Sequence, residues 1–556
     1  MVTLNFLPAN RSISVKRGST ILEAARLAGV LIESPCNGAV VCSKCMVRLG
    51  SDSLRHIVRR GVHQLAADEE RSGLVLSCEA EVTGDISVEV LDGPGAEELK
   101  IISHGHAIDV ALAPLISKVY QSEQDRTHVL RGAEIMAVEK GDTSREIFGV
   151  VVDIGTTTLV VSLVDLIAGV EVTTASSLNP QSRHAQDVLS RIRIAIDDHG
   201  LATMRDGVID EINRLIREVA VETATRPERI YEVVFSGNTC MLHLAAGVSP
   251  SSLGKYPYTP ELTGGSSLDA RLTGLEINSA GQIYLPPIIS AYVGADITAG
   301  LLAVRLHEEA GTVLFVDIGT NGEMALVRNG RLVAASTAAG PAFEGMNITF
   351  GMRAGEGAIE RFKILENGSL RIKAIGNLPP VGICGSGLMD IVAELVEHGL
   401  LAPNGKFVKP ATIALTALAE RLVEREGKPA FLITEGVYLS QRDVRQVQLA
   451  KGAIRAGVEF LLRHAGIGAA DLDKILIAGS FGFHLTAASL TSIGLLPPET
   501  VDRIDFVGNT AKSGGVILLL NRDSRHEMEQ LIKEIDVVEL ANCTGFDRVF
   551  VDCLSF

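Results

Sequence analysis

Four cysteines stand close together near the N-terminus. Cys36, Cys42 and Cys45 form the pattern C-x5-C-x2-C, and Cys78 follows after 32 further residues. Eight cysteines in 556 residues are too few for a disulfide scaffold, and the other four (Cys240, Cys384, Cys543 and Cys553) are scattered. A tight group of thiols in such a chain points to metal ligation. Structural zinc usually takes two short Cys pairs, or a Cys pair with a His pair, and this pattern offers neither. Three thiolates on the irregular loop SPCNGAVVCSKC and one from a distant strand instead suit a compact two-iron cluster. Backbone N–H groups of the loop, helped by Gly38, can stabilise the charge on its sulfurs.

The flanking sequence supplies elements to hold that loop. VTLNFL and SISVKRG alternate apolar and polar residues and predict a hairpin, not a signal peptide. Ser19 can cap a helix over TILEAARLAGV, with Ile21, Leu22, Ala25 and Leu27 as its apolar face. Strands follow at CMVRLG, LVLSCEA and DISVEVL. A hairpin with a helix packed across it is a β-grasp arrangement. Residues 1–93 resemble the [2Fe–2S] ferredoxins, whose plant-type spacing is C-x4-C-x2-C. The extra residue here is closer to the adrenodoxin-like spacing. The resemblance implies a one-electron carrier with Cys36, Cys42, Cys45 and Cys78 as its ligands. Residues 94–148 read as a connector and reduced middle segment, with one amphipathic helix over VALAPLISKVYQSE and a mobile ferredoxin head.

The rest of the chain repeats itself. FGVVVDIGTTTLVVSLVDL and TVLFVDIGTNGEMALVRNG are each an apolar strand ending in Asp-Ile-Gly-Thr, a tight turn and a second strand. Third strands follow at VEVTTASS and RLVAAST. Asp153 and Asp317 lie 164 residues apart, and two related halves facing across a cleft are the simplest reading. Gly155 and Gly319 permit a turn sharp enough for close approach to a phosphate. Thr156, Thr157, Thr158, Thr320 and Asn321, next to Gly322, add hydroxyl and amide donors. The aspartates can hold Mg²⁺ through waters. GICGSGLMD places Gly385, Ser386 and Gly387 at the start of an amphipathic helix, where free N–H groups and the dipole favour an anion. ILIAGSFGFH, FSGNTCMLHLAAG and VGNTAKSGGVILLL read as similar turn-to-helix joins.

This order of motifs is similar to that of the acetate and sugar kinase, heat-shock chaperone and actin superfamily of ATPases. Its phosphate-1 loop matches DIGTTT (153–158), and its phosphate-2 loop matches DIGTNGE (317–323). Its adenosine loop matches AGSFG, with Gly479, Ser480, Phe481 and Gly482. The connecting helices match 237–247 and 508–520. The resemblance implies a two-lobed α/β ribonuclease-H-like (actin-like) ATPase over 149–556, following the α+β β-grasp ferredoxin domain. Its lobes would span about 149–308 and 309–510, with a return segment at 511–556.

A [2Fe–2S] head on this ATPase resembles the reductive activators of corrinoid proteins, which use ATP to return an inactive Co(II) corrinoid to methyl-accepting Co(I). DIGTNGEMAL, TAAGPAFEG, GICGSGLMD and AGSFG carry that likeness, and the GPAFEG loop, too small and glycine-rich for a core segment, is expected at the cleft or at the corrinoid-protein surface. The family often has a substantial middle domain before phosphate-1, where only 94–148 is available here. What the resemblance implies is a [2Fe–2S] cluster, ATP and Mg²⁺ as cofactors, with Asp153 and Asp317 positioning Mg²⁺ and phosphates and Glu323 orienting water. The partners implied are a corrinoid protein of a methyltransferase system, a low-potential electron donor and a second copy of the chain. Such transfer is uphill, because each ~59 mV of one-electron deficit costs a factor of about ten in equilibrium. A net charge of −16 argues against nucleic acid or anionic membrane as partner, and no apolar run is long enough to span a bilayer, so a cytoplasmic chain is expected. Two other readings use the same motifs: an activator of the 2-hydroxyacyl-CoA dehydratase type, which holds a [4Fe–4S] cluster across a dimer interface, and a small-molecule kinase or chaperone with a regulatory cluster. The cysteine spacing predicts that the reduced holoprotein gives the EPR signal of a [2Fe–2S] centre. A [4Fe–4S] signal would favour the dehydratase-type reading.

Overall fold

The computed structural model describes the chain except residues 8–10, 29, 31, 33–44, 61–64, 66–70, 91–98, 104–105, 186, 426 and 480–484. At the N-terminus, strands Val2–Leu7 and Arg11–Val15 pair antiparallel. Strand Ile86–Val90 runs parallel to the first, and Met46–Leu49 and Leu74–Leu76 complete a five-stranded sheet. Helix Ile21–Leu27 crosses it, burying Ile21, Leu22, Ala24 and Ala25 against Leu4 and Phe6. This is the β-grasp arrangement. Two details differ from expectation. The helix is closed by Thr20, not Ser19: Thr20 Oγ1 accepts from Glu23 N at 3.1 Å while Glu23 accepts from Thr20 N at 2.8 Å, a reciprocal box. Leu27 is exposed, because its position on the 3.6-residue period turns it off the face shared by 21, 22 and 25.

The expected amphipathic helix over VALAPLISKVYQSE is absent. Ile116–Gln121, Arg126–Arg131 and Glu134–Lys140 form a three-stranded antiparallel sheet, as suits a stretch alternating at period two. Its seam with the ATPase body is polar and closed. Buried Lys118 donates to Glu139 at 2.9 Å and to the Glu146 carbonyl at 2.7 Å, and Glu139 also accepts from Tyr231 and pairs with Arg229. Val110, Ile116, Val129 and Ile147 share one core with Val151 and Leu519. Residues 110–147 are therefore packed against the first lobe.

The internal echo is realised as two six-stranded sheets of like topology. In the first, Phe148–Ile154, Thr158–Asp165 and Val170–Leu178 form an antiparallel meander, and Ile230–Gly237 pairs parallel with its first strand. In the second, Thr312–Ile318, Gly322–Arg328 and Arg331–Thr337 repeat the meander, with Lys474–Ala478 in the parallel position. The interlobe seam is made by helices Ala295–Ala303 and Thr510–Leu520. Their axes approach closely because small residues meet there: a Cβ on Gly514 would lie 1.9 Å from the Ala299 carbonyl oxygen. The segment expected as the first connecting helix, 237–247, forms helix Thr239–Ala246 within the first lobe's own core instead. Both helices open with Gly-Asn-Thr, so that local pattern does not distinguish a connecting helix from an internal one. Replacing Gly514 by Ala is expected to destabilise the ATPase body by about 1–3 kcal/mol through overpacking, measured as a lowered midpoint for that body in denaturant unfolding.

Candidate functional site

Each Asp-Ile-Gly-Thr closes its strand differently. In the first hairpin Ile154 pairs with Leu159, leaving a four-residue turn in which Gly155 N donates to the Thr158 carbonyl at 2.9 Å. A Cβ at Gly155 would stand 2.6 Å from that carbonyl oxygen, so the turn requires glycine. In the second, Ile318 pairs with Gly322 across a turn one residue shorter. That shorter register sets Glu323 directly opposite Asp317, where the first hairpin has Val160 opposite Asp153. Glu323 is therefore buried at the cleft.

The two turns face one another. Thr157 Oγ1 and Thr320 Oγ1 are 2.9 Å apart, joining loops 163 residues distant in sequence. Between them lies a pocket lined by Asp153, Gly155, Thr156, Thr158, Gly319, Thr320, Asn321, Glu323, Gly479 and Asn509. Asp296 and Glu344 also line it, and neither was singled out from sequence. Asp296 sits in the first turn of the interlobe helix, at Gly294-Ala295-Asp296. Glu344 ends the short turn Pro341–Glu344 of the GPAFEG segment, which thus lies at the cleft. Of the remaining expected residues, Gly385 and Ser386 line an adjoining chamber with Arg353, Cys384 and Lys512. Gly322 and Gly387 serve packing: added Cβ atoms would meet Ile454 at 2.7 Å and the Ile359 carbonyl oxygen at 2.0 Å. Ser480, Phe481 and Gly482 lie outside the described residues.

Five carboxylates in one buried pocket interact strongly. Burial pushes Asp153 up to about 6, although Asn509 Nδ2 donates to it at 2.7 Å. Burial, with the Asp153 charge adding to it, pushes Asp296 up to about 7. Asp317 and Glu323 are raised well above the usual carboxylate range, first by burial and then by their acidic neighbours. Glu323 Oε1 has no hydrogen-bond partner among the described residues. Such a donor set fits a hard divalent cation: oxygen ligands, excess negative charge and an unsatisfied buried carboxylate oxygen.

Other groups fix the first loop from behind. Asn238 and Asn509 each cap a helix, accepting from Met241 N at 3.1 Å and Lys512 N at 2.9 Å. The same side chains donate forward, Asn238 to Thr156 Oγ1 at 3.0 Å and Asn509 to Asp153. The carbonyls of Gly155 and Thr156 are taken by Asn179 at 2.9 Å and by the fully buried Arg191. Burial holds Arg191 down at about 10. Asn179 and Arg191 belong to the segment after the first meander, and no local pattern marked them.

At the N-terminal domain, Cys45 precedes strand Met46–Leu49, and Cys78 follows Leu74–Leu76 in the next turn. Their sulfurs lie 3.2 Å apart, too far for a disulfide and close enough for thiolates sharing one iron. The neighbouring buried Ser77 hydroxyl has no partner among the described residues, leaving a donor available beside the thiols. Cys36 and Cys42 lie outside the described residues. The described pair fits a cluster ligand set. Cys240 and Cys384 are buried packing residues, and burial pushes the Cys240 thiol up to about 12.

Comparison with known proteins bears on both domains. Residues 5–83 match the 2Fe-2S iron-sulfur cluster binding domain. Residues 311–556 match the C-terminal domain of RACo, the ASKHA domain, and 148–309 match the RACo middle region. The family's middle region thus falls after residue 148, on the first lobe, and not in the 94–148 segment where it was sought. The chain is 29% identical to the corrinoid activation enzyme RamQ of Eubacterium limosum, over 97% of this chain and 96% of that protein. It is 24% identical to the [Co(II) methylated amine-specific corrinoid protein] reductase of Methanosarcina barkeri, over 74% and 77%. A solved structure of a reductive activator for corrinoid, iron-sulfur protein superposes with a TM-score of 0.77 at 30% identity, covering 100% of this chain and 98% of that one. An iron-sulfur β-grasp domain and a two-lobed ATPase joined in this order, and matched along their whole length, make the chain a member of the family of reductive activators of corrinoid proteins.

Proposed function

We propose that the chain is an ATP-dependent reductive activator that passes one electron to a Co(II) corrinoid held by a partner protein, returning it to Co(I) for methyl transfer. The observation that carries this reading is the presence, on one chain, of a paired-thiol β-grasp site and a cleft whose two phosphate loops face each other through Thr157 and Thr320. When bound, a [2Fe–2S] cluster supplies a one-electron store, and Mg²⁺ neutralises the phosphates. Cys45 and Cys78, with Cys36 and Cys42 of the same motif, hold the store. Asp153, Asp296 and Asp317 orient the cation, and Glu323 accepts a hydrogen bond from the attacking water. Asn238 and Asn509 hold the first phosphate loop, at Thr156 and Asp153, against the helices they cap. The electron reaches the chain from a low-potential donor protein.

One observation weighs against a small-molecule kinase. The second cleft between the lobes is lined by Val188, Leu189, Ile192, Tyr258 and Tyr292, with Arg193 and Lys255. No carboxylate or imidazole, the side chains that most often serve as base toward an acceptor hydroxyl, is among its described lining residues.

Anaerobic mixing of holoprotein, MgATP, a strong reductant and Co(II) corrinoid proteins from the same organism is expected to give the Co(I) spectrum only when ATP is present. A phosphorylated small molecule, or a reduced cluster whose electron never reaches cobalt, would contradict the reading. Asp153→Asn and Asp317→Asn are each expected to lower ATP hydrolysis by about 10²-fold or more while leaving the EPR signal of the cluster intact. The raised carboxylates give a pH signature. Asp153 and Asp296 bind protons more tightly folded than unfolded, so the stability they contribute is present at low pH and lost as pH rises through about 6 to 7. Without Mg²⁺, the ATPase body is expected to melt at lower temperature at about pH 8 than at about pH 5.5, and Mg²⁺ is expected to stabilise it more at the higher pH.

A further inference from the structure

Glu344 makes a contact that the hydrolytic machinery does not require. Its carboxylate lies between the two phosphate loops, where Thr320 Oγ1 donates to Oε2 at 2.6 Å and is itself 2.9 Å from Thr157 Oγ1. A Cβ built on Gly319 would stand 3.8 Å from Glu344 Oε1 and 3.9 Å from Asp317 Oδ1, so the carboxylate sits beside the glycine that gives a phosphate its approach. The residue is a short anion held by the hydroxyls of both loops, the same donors a phosphate oxygen accepts from. Two anions cannot share those donors at contact distance in a buried site.

From this geometry we infer that Glu344 is a nucleotide-sensing latch, whose carboxylate and the terminal phosphate of ATP compete for the hydroxyls of Thr157 and Thr320. The inference rests on the assignment of the cleft to ATP. Its mechanical consequence follows from where Glu344 is mounted. The turn Pro341–Glu344 is bounded by Gly340 at φ +81° and Gly345 at φ +79°, positive φ at both ends. Gly340 N donates to the Thr320 carbonyl at 2.8 Å, tying the turn to the phosphate-2 loop. On its other side the Phe343 carbonyl oxygen abuts Gly385, where an added Cβ would approach to 1.9 Å, at the start of helix Gly385–Glu397. A few residues on, Thr349 N donates to Asp443 at 2.8 Å, in the capping box that opens helix Gln441–His464. Displacing Glu344 therefore shifts a turn that is braced against the N-termini of two long helices of the second lobe. ATP arriving at the phosphate loops is relayed to the body of the lobe through this turn, as a positioning effect and not a chemical step.

The test uses the full-length holoprotein, Mg²⁺ and the non-hydrolysable analogue AMP-PNP, with affinity measured by titration calorimetry and backbone exchange by mass spectrometry. In the wild type, binding is expected to raise amide exchange over residues 340–349 as the turn is released from Thr320. Glu344→Ala is expected to bind MgAMP-PNP about tenfold tighter than wild type, since a competing charge-assisted contact has been removed. Glu344→Gln, which keeps the shape and a neutral acceptor, is expected to shift affinity in the same direction by less. Weaker or unchanged binding by the variants overturns the latch and makes Glu344 a cation ligand or a bystander. Unchanged or reduced exchange over 340–349 in the wild type overturns it without recourse to a variant. A wild-type chain that does not bind MgAMP-PNP overturns the cleft assignment itself, which is a distinct result.

Discussion

Asp153, Asp296, Asp317, Glu323 and Glu344 enclose one buried cleft, and their mutual repulsion is the constraint on which the rest of the structure depends. Like charges this close in a low-dielectric site cannot all ionise at once. The protein resolves part of the cost with neutral donors, Asn509 to Asp153 and Thr320 to Glu344. In the proposed function, a divalent cation carrying phosphates would satisfy what those donors leave unsatisfied. The asparagine caps, the buried Arg191 behind the first loop and the small-residue crossing of the interlobe helices all keep that set of charges at fixed spacing.

Much of this was legible in the sequence wherever chemistry and turn geometry are local. The two Asp-Ile-Gly-Thr hairpins could be read because an apolar strand ending in that tetrapeptide has few other uses when it occurs twice. The cysteine spacing could be read for the same reason, and it identified Cys45 and Cys78, whose sulfurs the fold brings together from 33 positions apart. Asp296 and Glu344 escaped because each reaches the cleft by tertiary placement: one from the first turn of a helix, the other from a short turn 24 residues beyond Thr320. The burial of Glu323 was likewise undetermined until the register of the second hairpin, one residue shorter than the first, set it across from Asp317. The connecting helix was misplaced because Gly-Asn-Thr opens both Thr239–Ala246 and Thr510–Leu520, and only the packing of Gly514 on Ala299 separates the two roles.

The connector shows the same limit in another form. Its polar, turn-rich composition reads as a tether, yet Lys118, Glu139, Tyr231 and Arg229 close a buried ionic seam that fixes residues 110–147 to the first lobe. The proposed ATP site lies at the phosphate loops of residues 153–158 and 317–323, and the proposed cluster site lies in the N-terminal domain. In the proposed function the two are joined through the partner: remodelling of the corrinoid protein by the ATPase body would raise the cobalt potential, and the electron would follow.

That ordering is tested most directly in a single turnover. Pre-reduced holoprotein is mixed with one equivalent of Co(II) corrinoid protein, with and without MgATP, while cluster and cobalt absorbance are followed together. The account predicts that cluster oxidation and Co(I) formation share one rate constant and appear only with MgATP. Cluster oxidation and Co(I) formation at the same rate without nucleotide would contradict it.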